Sequence, residues 1–164
     1  MAVLSKVEVK VADEVWVATA LLHRENPKRN SFSVEEIVDR AAREGLVKPQ
    51  RPSVYVHVAQ HCVANRPPNP GRYRMLFETP EGDRRLYRQG DPYHPARQGA
   101  KITPSSDDLP DRYRELLEWY KRWSENAARQ AAEKDPLLAL VGSGRSLWRS
   151  EHADDYVKRL REGW

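Results

Sequence analysis

Three runs between residues 33 and 88 decide the fold: SVEEIVDRAAREG (residues 33–45), RPSVYVHVAQHCVAN (51–65) and RYRMLFETPEGDRRLYR (72–88). In the first, Ser33 precedes Glu36 by three residues, the spacing of a capping box. Val34, Ile37, Val38 and Ala41 then recur on one helical face, and Gly45 supplies the left-handed position that ends a helix. In the second, Pro52 suits the first helical position. At 100° per residue Val54, Tyr55, Val58, Ala59 and Cys62 share one face, and Ser53, Val56, His57, Gln60 and Ala64 share the other. That outer face is small and polar, so it can approach another surface closely. RPPNPG (66–71) stops the helix. In the third run Tyr73, Met75 and Phe77 alternate with Arg74, Leu76 and Glu78, and PEGD (80–83) makes a turn, which predicts a β-hairpin. The order is helix, turn, helix, basic hairpin.

Working outward, residues 1–12 alternate apolar with polar and read as a short strand or an extended arm. Residues 13–23 form a helix with Val15, Ala18, Leu21 and Leu22 on one face and Trp16 beside it, ending near Asn26 because Pro27 disfavours helix in the residue before it. Phe32 is placed as a hydrophobic staple or as a one-residue first strand. Beyond the hairpin, residues 89–104 have three prolines, two glycines and no periodicity. They read as a long structured loop or a linker. A long helix follows, carrying Leu109, Tyr113, Leu116, Leu117, Tyr120 and Trp123 and then Ala127, Ala128, Ala131 and Ala132, until Asp135-Pro136 breaks it. This pattern fits a helix that packs first and then projects, or pairs with a second copy as a homodimer. The reading is therefore α+β in three parts: a domain over 1–104, the long helix over 105–135 and a tail over 136–164.

Charge is uneven. Residues 1–104 hold 17 Lys+Arg against 12 Asp+Glu, whereas residues 105–164 hold 11 against 12. Within the first part, residues 51–104 hold 9 against 4. A basic cluster on a helix-hairpin unit is the footprint of a phosphate binder, set against the plainer alternative of a solvated basic face. Cross-strand like charges destabilise a hairpin unless an anion lies between them. The expected DNA-contacting residues are accordingly Arg51, Ser53, His57 and Gln60 on the helix and Arg72, Arg74, Arg84, Arg85 and Arg88 on the hairpin. A single cysteine, Cys62, excludes a disulfide framework and fits a reducing cytoplasm. No run approaches the 18 apolar residues of a membrane span.

Two clusters could hold other chemistry. His57 and His61 stand at metal-ligand spacing beside Cys62, but the side chains fall on different faces and no carboxylate completes the set, so no metal or other cofactor is expected. Asp91, His94 and Arg97 suggest a hydrolytic site, yet nothing nearby repeats the carboxylates of a two-metal nuclease. The chain is not expected to be an enzyme. Gly142-Ser143-Gly144 lacks the following Lys of a phosphate loop and reads as a hinge.

Residues 13–88 resemble the winged-helix proteins of the helix-turn-helix superfamily, and the segment from His61 to Pro104 resembles an uncharacterised bacterial family. The tail motif GSGRSLW with DDYVKRLREGW resembles the partner-wrapping tail of VapB-type antitoxins. That resemblance implies a PIN-domain ribonuclease toxin as partner, with Leu147, Trp148, Tyr156, Leu160 and Trp164 as anchors and Arg145 or Arg149 directed at the toxin's metal-binding carboxylates. Antitoxins of that kind usually carry another type of DNA-binding domain. Together the resemblances imply a cytoplasmic antitoxin that represses its own operon by binding double-stranded DNA. The alternative is a winged-helix regulator or DNA-targeting module with no toxin.

Overall fold

The structure is a computed structural model describing residues 8–140, 158 and 161. It is a mixed helical protein with one small antiparallel sheet, and its chain divides into two compact units, Met1–Ser124 and Glu125–Trp164. The boundary falls inside a helix, and residues 89–104 belong to the first unit.

The first unit is built around α1 (Val11–Glu25), in which every residue from Ala12 to His23 is buried. A helix covered on all sides sits at the centre of a domain rather than on one side of it. The single apolar face read from the sequence understates this, because the polar residues between the apolar ones are buried too. Each polar group is placed differently. Thr19 Oγ1 donates to the Val15 carbonyl at 2.8 Å. Glu14 pairs with Arg51 at 2.7 Å. His23 Nε2 accepts the Leu86 amide at 3.3 Å. Asp13 lies 3.9 Å from Lys101, and burial pushes its carboxyl pKa up. The strand or arm expected over residues 1–12 gives way at its end to α1: Val11 and Ala12 are already helical. Residues 1–7 lie outside the described residues.

α2 (Val34–Glu44) follows the sequence reading closely. Ser33 Oγ accepts the Glu36 amide, Glu36 accepts the Ser33 amide, and Gly45 ends the helix at φ 62°. α3 is a short α-helix, Ser53–Val56, that widens into a π-helical turn over His57–His61. The hairpin pairs β1 (Leu76–Glu78) with β2 (Arg84–Leu86), with Leu76 opposite Leu86 and Glu78 opposite Arg84. Phe32 bridges Arg84 on the other edge through two backbone hydrogen bonds, so β2 lies between Phe32 and β1. The strand is shorter than the alternation over 72–79 predicts, because the Arg74 and Met75 amides bond to the Lys101 and Cys62 carbonyls instead.

α4 (Asp111–Lys134) closes the first unit with Leu109 just before it and with Tyr113, Leu116 and Tyr120, all buried. Trp16 meets the Tyr120 ring edge-on at 5.8 Å, and His23 lies 4.8 Å from the Trp123 ring. The second unit, by itself, holds the rest of α4 and the short α5 (Pro136–Ala139). Its Ala128, Ala131 and Ala132 are exposed, as are Leu137 and Leu140. Among the described residues no helix is long and apolar enough to cross a membrane.

Candidate nucleic-acid interface

The outer turn of α3 is held by two buried arginines. Arg84, on β2, is 3% exposed and donates to the Val58 and Ala59 carbonyls, both at 3.2 Å. Arg97, on the 3₁₀ turn Pro95–Arg97, is 0% exposed and donates to five carbonyls: Gln60, His61, Arg66, Pro67 and Tyr73. Four consecutive carbonyls, from Val58 to His61, therefore accept from guanidinium groups. A widened turn leaves carbonyls without helical partners, and the negative end of a helix favours a cation. Arg97 has no carboxylate partner among the described residues; five carbonyl dipoles take that role. Burial pulls both guanidinium pKa values down from their ordinary range.

Arg97 also fixes the connection from α3 to β1, since three of its acceptors lie in residues 66–73. Gly71 allows that loop to lie against α3: a Cβ there would come within 2.6 Å of the His61 Cβ. The loop 89–104 is thus a structured clamp. Its Asp91 accepts a bidentate bond from Arg85, Lys101 pairs with Asp108 at 2.8 Å, and His94 Nδ1 accepts the Ala96 amide.

The hairpin arginines expected to meet phosphate divide sharply. Arg84 is buried, and besides α3 it bonds the Gly82 carbonyl and lies 3.3 Å from Glu78. Arg85 grips Asp91 at 2.6 and 2.9 Å and covers the Phe77 ring. Arg88 is half-buried and stacks over Trp123 at 4.7 Å, with its pKa lowered by burial. Arg74 is half-buried, stacks over Tyr93 at 4.2 Å and donates to the Ala100 carbonyl. Arg72 alone of the five is exposed with no hydrogen-bond or ion-pair partner among the described residues. The anions that the like-charged strands require are the protein's own Glu78 and Asp91. Arg66 reinforces Glu78 with bonds of 2.5 and 2.8 Å that hold the carboxyl pKa low.

On α3 the expected readers are also partly engaged. Arg51 donates to the Val9 carbonyl and to buried Glu14. His57 Nδ1 lies 2.8 Å from the Ser53 carbonyl, and burial lowers its pKa. Gln60 Nε2 donates to the Pro67 carbonyl at 3.0 Å. Ser53 is half-buried at the helix start. Two residues escape the helical-face assignment: Tyr55 is 53% exposed, and Ala64 is buried, because the chain leaves helical geometry at Cys62. The outward face runs instead through Pro52, Tyr55 and Val56, with Val56 43% exposed.

One sequence signal marks this surface. The 33 residues from 45 to 77 contain no Asp or Glu, while they contain Lys48, Arg51, Arg66, Arg72 and Arg74. Lys48 and Arg72 are exposed at either end of the stretch. Arg72 borders a cleft of about 540 Å³ lined also by Gly71, Gln98 and Lys101.

His57 and His61 meet edge-on with ring centroids 4.8 Å apart, and Cys62 is buried with its thiol pKa pushed up. Among the described residues no three ligating side chains converge. The tail residues Arg145, Leu147, Trp148, Arg149, Tyr156, Leu160 and Trp164 lie outside the described residues. Comparisons with protein-family models, with curated proteins and with solved structures find no match to this chain.

Proposed function

We propose that the chain is a winged-helix DNA-binding protein that meets duplex DNA with the outward face of α3. The observation that carries this reading is the acid-free stretch 45–77, which contains α3 and leaves Lys48 and Arg72 exposed on either side of it. A polyanion approaching this face meets no carboxylate belonging to it. The strand order Phe32, β2, β1 beside three helices is the arrangement a winged helix uses, and it supports the same reading. Within it Ser53, Tyr55 and Val56 face the groove, Arg72 contacts the backbone, and Arg74 flanks it. Arg51, Arg84, Arg85 and Arg88 are scaffold, and His57 and Gln60 shape the helix. A fluorescence-anisotropy titration of duplex DNA at rising salt tests this: binding at about 50 mM salt should fall linearly on a log–log plot. Absence of any duplex binding at that salt would sink the proposal.

Neutralisation of a PIN-domain ribonuclease and autorepression of its operon remain a proposal about the tail, carried by its sequence. Two tryptophans of roughly 200 Å² each, within a tail holding Tyr156, Leu147 and Leu160, are the residue types that anchor in a partner's groove. Deletion of residues 137–164 should abolish neutralisation in cells and leave duplex binding in place. Intact neutralisation after the deletion would show that this tail is not what neutralises the toxin.

A further inference from the structure

The outward face of α3 has a chemical character that narrows what it can recognise. Three of its longer polar side chains are engaged within the protein: Arg51 with Glu14 and the Val9 carbonyl, His57 with the Ser53 carbonyl, Gln60 with the Pro67 carbonyl, which leaves the Ser53 and Tyr55 hydroxyls as its polar groups. Reading guanine calls for a free guanidinium or ammonium, and reading adenine a free carboxamide, each placed bidentately on the base edge. None stands on this face. What it presents is Pro52, Tyr55 and Val56, with small Ala59 half-buried beside them. Tyr55, Val56 and Tyr93 are the exposed large hydrophobics of residues 8–124, so two of the three are neighbours here.

The major groove offers one apolar feature, the methyl group at C5 of thymine, and 5-methylcytosine carries a methyl at the same ring position. On the reading of α3 as a groove-entering helix, on which this rests, we infer that its outward face recognises 5-methylpyrimidines. Val56 supplies the apolar contact, with the Tyr55 ring widening it. A protein partner would also accept an apolar pair. The acid-free stretch 45–77, with Lys48 and Arg72 exposed in it, favours a polyanion.

The test uses the full chain and four alternating duplexes at low salt without magnesium: poly(dA–dT), poly(dA–dU), poly(dG–dC) and poly(dG–5-methyl-dC). Each methyl buried on binding should improve affinity about fourfold, the worth of one buried methylene-sized group. Tighter binding of the dT duplex than the dU duplex assigns thymine as the source. Tighter binding of the methylated than the plain dG–dC duplex assigns 5-methylcytosine. Val56→Ala should shrink whichever preference is found. Val56→Thr, which keeps the shape but replaces one methyl by a hydroxyl, should fall between. Val56 is exposed, so neither change threatens folding, and equal melting temperatures would verify it. Equal binding of all four duplexes overturns the methyl inference and leaves DNA binding standing. A preference that Val56→Ala leaves intact also overturns it. Failure to bind any of the four overturns the DNA reading itself and points to a protein partner for the apolar pair.

Discussion

The hairpin holds Arg84, Arg85 and Arg88 within five residues, and all three are enclosed: by carbonyls and Glu78, by Asp91, and by the Trp123 ring. The α3 region holds its cations farther apart, and Lys48 and Arg72 are exposed. Density of positive charge along a sequence is therefore a poor guide to charge available to a ligand. What separates the two regions is where the acids lie. Glu78 and Asp91 sit within a few residues of Arg84 and Arg85 and pair with them. No acid occurs from 45 to 77.

The largest test of this contrast falls on Arg97. Five carbonyls lose their donors if it is removed, and bonds to a charged group are individually among the stronger ones. Arg97→Ala should lower stability by more than about 3 kcal/mol in urea unfolding. Arg97→Lys should also destabilise, since an ammonium group cannot match the reach and the five donors of a guanidinium. An unchanged urea midpoint in Arg97→Ala would show that α3 stands without its clamp, and the division between scaffold and interface arginines would fail with it.

A pH-dependent effect comes from His23, beneath the hairpin. Burial first, then the charges of Arg88 and Arg85, lower its pKa from 6.5 to about 3. The folded protein keeps it neutral where the unfolded chain takes up a proton. Its contribution is whole above pH 6.5 and is lost as pH falls toward 3, at about 1.4 kcal/mol per pH unit. The lowered pKa of His57 acts with the same sign. His23→Gln, which keeps an acceptor for the Leu86 amide, should flatten the stability curve between pH 6.5 and 4 in thermal melts. A curve as steep as the parent's would mean that His23 is protonated in the folded state.

Much of the fold was legible in the sequence because it is written in local signals. The Ser33–Glu36 box, Gly45, the turn at Gly82 and the stripe from Leu109 to Tyr120 each act within a few residues. The site was less legible for a physical reason. Whether a guanidinium is free depends on partners distant in sequence: Arg97 reaches back 24 to 37 residues, and Arg84 reaches 25 and 26 residues back to α3. Helical-face arithmetic failed at Ala64 because the wider turn and the break at Cys62 come before it. The absence of acids from 45 to 77 is a signal that needs no tertiary structure, and the charge counts over 51–104 passed over it.

The most direct measurement of the central claim is the salt dependence of duplex binding for the full chain, Arg72→Ala and Arg85→Ala, alongside their stabilities. Arg72 is exposed and has no partner among the described residues, so its removal should reduce the log–log salt slope by about one and leave the melting temperature unchanged. Arg85 is paired with Asp91, so its removal should lower stability by about 1–3 kcal/mol and leave the slope unchanged. The opposite pattern, a slope that falls with Arg85 and not with Arg72, would contradict the account and return the hairpin to the DNA interface.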